Sequence, residues 1–284
     1  MSPGRIGTLA LRNRIIMASM GTNLAEPTGH VGERSIRFYE ERAKGGVGLI
    51  VIGVASVAFP AGACNVNQVA ISDDKFIPDL KKLTDRIHAH GAKCAIQLQH
   101  AGKVARMDIA HGRPMWVPSE FQYDTGDLLK NLTSDEMAAV TSSIMKEGAG
   151  ISFQVMTDED ISAAIKYFSD AAQRAIQAGF DGIEIHGAHG YLISSFISPK
   201  TNLRTDEYGG SVENRSRLLT DVIKATRKRV GDDFPIWCRI DGKEIDVEGG
   251  ISIEDAKQTA VYAEKAGADA VHISAYGNPA KSAA

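Results

Sequence analysis

The sequence predicts an α/β fold of parallel strands and, within that class, a (β/α)8 TIM barrel. Three observations carry this. Short apolar runs alternate strictly with amphipathic segments, the pattern of parallel strands joined by helical crossovers. The glycine-rich phosphate loop that a doubly wound sheet shows after its first strand is missing, and no P-loop pattern occurs. Every predicted strand also ends in small or polar residues, at the end where barrels build their sites.

The elements follow in order. Residues 14–20 form the first strand, ending at Ser19 and Met20. Residues 31–44 have helical spacing, with Ile36, Tyr39 and Ala43 on one face. Val47–Val54 is the second strand, and Gly45, Gly46 and Gly48 close the helix before it. Residues 77–90 are amphipathic through Leu80, Leu83, Ile87 and His88, and Gly91 suits a C-cap. Lys93–Gln99 is the third strand, leading to His100. From about 103 to 156 the repeat is interrupted by an excursion. Two helix starts, at 132–136 and 156–160, each pair Thr with an acid three residues on, a capping-box signal. The second leads back into the repeat as a helix over 161–178. Phe180–His186 is the fourth strand, Ser211–Val230 a helix burying Leu218, Leu219, Val222 and Ile223, and Pro235–Ile240 the fifth strand. Ile253–Ala266 is the last helix and Ala268–Ser274 the sixth strand.

The chain of 284 residues suits one large α/β domain, and its 43% hydrophobic and 24% charged residues are ordinary for a globular protein. A net charge of −3 offers no basic field for nucleic acid. No run of about 18 apolar residues predicts a membrane span. Cys64, Cys94 and Cys238 form no C-x-x-C pair or zinc pattern, which fits a reducing cytoplasm, and residues 1–14 lack the apolar stretch of a signal peptide. A homo-oligomer is compatible with the chain.

The chemistry concentrates after the fourth strand. His186 and His189 stand three apart, followed by Tyr191, with Gly187 and Gly190 between. No carboxylate or thiolate completes a familiar metal pattern, so no metal is expected. Read as chemistry, the imidazoles are donors that grip a carbonyl oxygen and lower the barrier as charge builds there, and Tyr191 is a proton donor. The competing readings are satisfied structural histidines and a core aromatic with a wet hydroxyl. Arg239 on the fifth strand needs an anionic partner, either a cofactor or Asp241 or Glu184. Gln97 offers donor and acceptor together, which suits a heterocycle edge.

Four stretches together resemble the old yellow enzyme family. They are residues 181–193, from Asp181 through His186, His189 and Tyr191 to Ile193; residues 196–215; residues 11–20; and Gln97–Lys103. The similarity runs from about Ile6 to Tyr276, apart from the part of the excursion around 120–155. Residues 37–50 look like the branch of 2,4-dienoyl-CoA reductases and bile-acid-modifying flavoenzymes.

The resemblance implies an FMN-dependent NAD(P)H oxidoreductase on a (β/α)8 barrel. Hydride would pass from NAD(P)H through the flavin to the C=C bond of an enone or enoyl thioester. Ala18, Ser19 and Met20 would line the flavin, Gly53 and Val54 would lie near its ring, Gln97 would pair with its pyrimidine edge, and Arg239 would face its N1–C2 carbonyl side. His186 and His189 would hold the substrate carbonyl, with Tyr191 as proton donor. In a longer full-length chain, a 4Fe–4S cluster and FAD would follow. Family barrels bind the FMN phosphate from strands seven and eight. Residues 1–284 therefore read as an incomplete FMN-binding barrel, truncated after strand six, expected to retain FMN poorly. The alternatives are an FMN amine dehydrogenase or demethylase on the same barrel, and a barrel kept as a non-catalytic scaffold.

Overall fold

A computed structural model describes residues 1–120, 134–135, 138 and 151–277. Its centre is a sheet of β3 (Ile16–Met17), β4 (Leu49–Ser56), β6 (Lys93–Gln99), β9 (Gly182–Gly187), β10 (Ile236–Ile245) and β11 (Ala270–Gly277). These pair in that order, all parallel. The short β5 (Val69–Ala70) pairs in parallel with Ala55 and Ser56, the last two residues of β4. All eight residues of β4 are buried, as are all six of β9, because a parallel strand is covered on both faces.

The covering helices are α1 (Glu33–Lys44), α2 (Ile77–His88), α4 (Asp158–Gln177), α7 (Arg217–Val230) and α8 (Ile253–Lys265); α3 (Arg106–Ala110), α5 (Leu192–Ile197) and α6 (Val212–Arg215) are short. The expected apolar faces are buried: Ile36, Tyr39 and Ala43 on α1; Leu80, Leu83 and Ile87 on α2; Leu218, Leu219, Val222 and Ile223 on α7. They pack on outward strand residues such as Ile50, Ile52, Ile183, Ile185 and Cys238. Thr157 and Asp160 form the predicted capping box of α4, and Ser252 with Asp255 caps α8 in the same way.

The sheet is curled, and one contact demonstrates it. Ser19, just after β3, accepts from Arg239 of β10 at 3.3 Å. Four strand spacings separate β3 from β10, roughly 19 Å in a flat sheet. Inside the curl, Leu49, Val51, Ala95 and Trp237 form a separate apolar layer. Leu9 and Leu11 close that layer from below. They lie on an antiparallel hairpin, β1 (Gly4–Ile6) with β2 (Leu9–Leu11), which the alternation did not predict.

Other expectations need correction. The first strand, expected over 14–20, is ladder-paired only at Ile16–Met17, with one further bridge between Gly21 and Gly53. The helix expected over 211–230 is two pieces broken at Ser216, whose hydroxyl is tied to Thr259 at 2.9 Å. The excursion at about 103–156 begins with α3, and its ends are drawn together by a parallel pair, β7 (Met115–Val117) with β8 (Phe153–Val155). Of the helix start expected at 132–136, only Ser134 and Asp135 are among the described residues. No helix among the described residues is long and apolar enough to cross a membrane.

Candidate active site

Strand alternation sets the site. On β9, Ile183 and Ile185 face the helices, so Glu184 and His186 face the inside of the curl. The register places Gln97, Glu184 and Trp237 in one row across three strands, and His186, Arg239 and His272 in the next row up.

The lower row is organised by Glu184, which is fully buried. Its Oε1 accepts from Ser19 Oγ at 2.8 Å and from Gln97 Nε2 at 2.7 Å. Its Oε2 accepts from Trp237 Nε1 at 2.8 Å and lies 2.8 Å from His272 Nδ1. Burial pushes this carboxyl up, but the hydrogen bonds from His272 and Ser19 and the His272 charge outweigh it, so Glu184 stays below the ordinary carboxylate range. Sequence reasoning had Glu184 only as a partner for Arg239. The signal for more was available: an acid in the middle of an apolar strand.

The upper row opens into the loop before α5. His189 and Gly190 adopt left-handed backbone, at φ 62 and 70°. The buried Asp241 holds this turn: its Oδ2 accepts from the His189 N–H at 2.8 Å and from Ser194 Oγ at 2.9 Å. Burial raises the Asp241 carboxyl to about 6, partly opposed by those two donors. His186 Nδ1 accepts from the Ala188 N–H at 3.2 Å, which leaves the ring proton of the neutral imidazole on Nε2. Burial, with the charges of His189 and Arg239 added, drives His186 well below the ordinary histidine value. Burial, then Arg239 and His272, lower His189 to about 4. Both rings are therefore neutral at pH 7.

The structure brings the predicted trio together. The ring centroids of His186 lie 5.0 Å from His189 and 4.9 Å from Tyr191. His189 Nε2 sits 2.6 Å from Ser274 Oγ, which also receives Arg239 Nη2 at 3.1 Å. Tyr191 Oη is 4.0 Å from Cys64 Sγ, and that thiol donates to Gln68 Oε1 at 3.2 Å. Cys64 first, then burial, push the Tyr191 phenol well above its ordinary value. Neither Cys64 nor Gln68 was singled out from the sequence as a site residue, because only the fold brings their loop to Tyr191.

The predicted floor is also assembled. Ser19, Gly53, Val54 and Gln97 are buried, Arg239 is half-buried, and Ala18 and Met20 are exposed beside them. A Cβ at Gly53 would stand 2.6 Å from Ser19 Cβ, so the ends of β3 and β4 lie in close contact. Arg239 donates to the oxygens of Ser19 and to Ser274, rather than to Asp241 or Glu184. On this floor, Gln97 Oε1, an acceptor, and Arg239 Nε, a donor, are buried without a protein partner, as is Asp241 Oδ1 beside the rim. A flat heterocycle with an N–H beside a carbonyl satisfies both floor atoms, so the floor fits the pyrimidine edge of a flavin. Among the described residues no three His, Cys, Asp or Glu side chains gather as a metal site requires.

Comparison with known proteins decides the family. Residues 1–278 match the model of the NADH:flavin oxidoreductase / NADH oxidase family. The chain belongs to that family. It is 40% identical over 274 residues to an NADH oxidase of Thermoanaerobacter brockii, covering 96% of its own length and 38% of the relative's. It is 35% identical to an N,N-dimethylglycine/sarcosine dehydrogenase of Chromohalobacter salexigens, over 93% of this chain and 35% of that one. Its fold superposes on a 2-naphthoyl-CoA reductase solved with 2-naphthoyl-CoA at a TM-score of 0.81 and 30% identity, covering 97% of this chain and 40% of that one. On the Old Yellow Enzyme of a Pichia species the TM-score is 0.79 at 28% identity, over 95% and 69% of the two chains. The chain thus has the α/β barrel architecture of the old yellow enzymes, and it spans 38% and 36% of the length of the first two curated relatives it matches.

Proposed function

We propose that this barrel is the catalytic unit of an FMN-dependent ene-reductase. It uses NAD(P)H to reduce the C=C bond of an α,β-unsaturated carbonyl compound, an enone or an enoyl thioester. The observation that carries the reading is two neutral imidazoles and a protonated phenol, grouped at the rim above a floor that fits a flavin edge. The kinship with a reductase solved with an aromatic acyl-CoA supports the thioester form of the substrate.

FMN held on this floor would supply the hydride-transfer chemistry between NAD(P)H and the substrate C=C bond. The chain's own residues do the rest. Ser19, Gly53, Val54, Gln97 and Arg239, with Ala18 and Met20 at the margin, hold and orient the ring. His186 donates from Nε2 to the substrate carbonyl oxygen, and His189 exchanges Ser274 for the same oxygen. Neutral donors suit this task, because they stabilise charge that builds on the oxygen without requiring a proton at pH 7. Tyr191 gives its proton to the α-carbon, and its elevated pKa keeps that proton available. Cys64 and Gln68 orient the hydroxyl from behind.

The test is anaerobic mixing of the FMN-loaded enzyme with NADH or NADPH, then with an enone or enoyl thioester. Bleaching of the flavin absorbance by the nicotinamide and recovery on adding the alkene is the expected result. Bleaching by a methylated amine, with no recovery on adding the alkene, would replace this reading with amine oxidation, the activity named for one relative.

A further inference from the structure

Resting on the flavin reading, we propose that Glu184 is a positioning residue that fixes which way round the Gln97 amide stands. The floor thereby selects a ring edge presenting N–H. An ionised carboxylate can only accept, so the Gln97 atom 2.7 Å from Glu184 Oε1 must be the amide nitrogen. The amide oxygen is then turned away from Glu184, buried and without a protein partner. The same carboxylate oxygen takes the Ser19 hydroxyl proton, which leaves the Ser19 lone pairs facing Arg239 Nη1 at 3.4 Å. On the other oxygen, Trp237 Nε1 can only donate, so one end of the carboxylate is held by a group whose polarity cannot reverse. One buried charge thus sets an acceptor at Gln97 and supports the guanidinium of Arg239.

The substitution Glu184→Gln tests this, because Trp237 dictates how the new amide stands. The indole N–H takes the amide oxygen, so the amide NH2 faces Gln97 and Ser19. Gln97 must then flip to accept, turning its own nitrogen towards the ring edge. The probes are FMN and N3-methyl-FMN, which lacks the N–H, with dissociation constants read from flavin fluorescence. The native enzyme should prefer FMN on the order of a hundredfold, as sites built to bind an N–H reject analogues without it. Glu184→Gln should bring the two affinities to within roughly threefold, while Glu184→Asp, which keeps an acceptor-only group, should restore the preference. If Glu184→Gln binds both flavins more weakly but keeps the native ratio, Glu184 is only a structural prop and the inference fails. The titrations use the full-length enzyme, and if that native enzyme binds neither flavin, the flavin reading itself fails. Should Glu184→Gln not fold, the native enzyme decides by NMR with FMN carrying 15N at N3. A bound N3–H proton that moves downfield from its position in free FMN, and loses that shift in Gln97→Met, supports the inference. An N3–H proton that Gln97→Met leaves unmoved shows that Gln97 does not accept from the ring and overturns it.

Discussion

At the residue scale the rim is a set of groups kept out of their usual protonation behaviour by burial. Tyr191→Phe removes the proposed proton donor while leaving the floor untouched. Alkene reduction should slow by about 10²–10⁴-fold, with flavin reduction by NAD(P)H unchanged, in stopped-flow measurements of the two half-reactions. A second expectation concerns acid stability. Burial holds His100 and His189 at about 4, and His186 well below the ordinary value. Unfolding returns each to about 6.5, so between those values the unfolded chain binds protons that the folded chain refuses. This contribution is complete above about 6.5 and is lost as pH falls towards 4. Asp241, raised to about 6, acts in the opposite sense: its contribution is full below about 3.9 and is lost as pH rises through 6. Three histidines outweigh one acid, so the melting temperature should fall from pH 7 to pH 5. The slope should flatten in His189→Asn and steepen in Asp241→Asn, and an unchanged slope in both would contradict this account.

At the element scale, most of the barrel was legible because each strand and helix carries its period in its own residues. The six strands and the helices that cover them follow the predicted order. Elements set by contacts between distant segments were not legible. The β1–β2 hairpin has three-residue strands, too short for alternation to register, and its purpose is to plug a layer that exists only once the sheet curls. The break at Ser216 answers to Thr259, forty-three residues away. The trio His186, His189 and Tyr191 was legible because it sits on one strand end. Glu184 as an organising centre was not, since its partners come from four other segments. Packing between strands gives a prediction here. A Cβ at Gly182 would lie 2.6 Å from Trp237 Cζ3, so Gly182→Ala pushes the indole against its neighbours and away from Glu184. Urea unfolding should show a loss of about 1–3 kcal/mol, and no loss would mean the Trp237 layer has slack.

For the whole molecule, the curl converts a list of strand ends into a site: Ser19 and Arg239 meet across the mouth although three strands lie between them. Function at this scale is a matter of turnover. Arg239→Leu removes the cation proposed to face the flavin ring. FMN affinity should fall by about tenfold or more in fluorescence titration, as expected when a hydrogen bond to a charged group is lost, and unaltered binding would remove Arg239 from the floor. The column Trp237, Arg239 and Asp241 on β10 has a consequence for how such a protein can diversify. Successive residues of a strand point to opposite sides, and here the intervening Cys238 and Ile240 belong to the helix-facing layer. Deleting a single codon at the start of this strand, ahead of Trp237, would exchange the two sets at once. The indole, the guanidinium and the carboxylate would be thrust among the helices, and a thiol and an alkyl group would fill the mouth. Descendants of this gene can therefore explore β10 only by substitution. Between β7 and β8, by contrast, the two ends of the insert are already clasped by their own pairing, and lineages can lengthen or shorten that stretch without disturbing the column on β10.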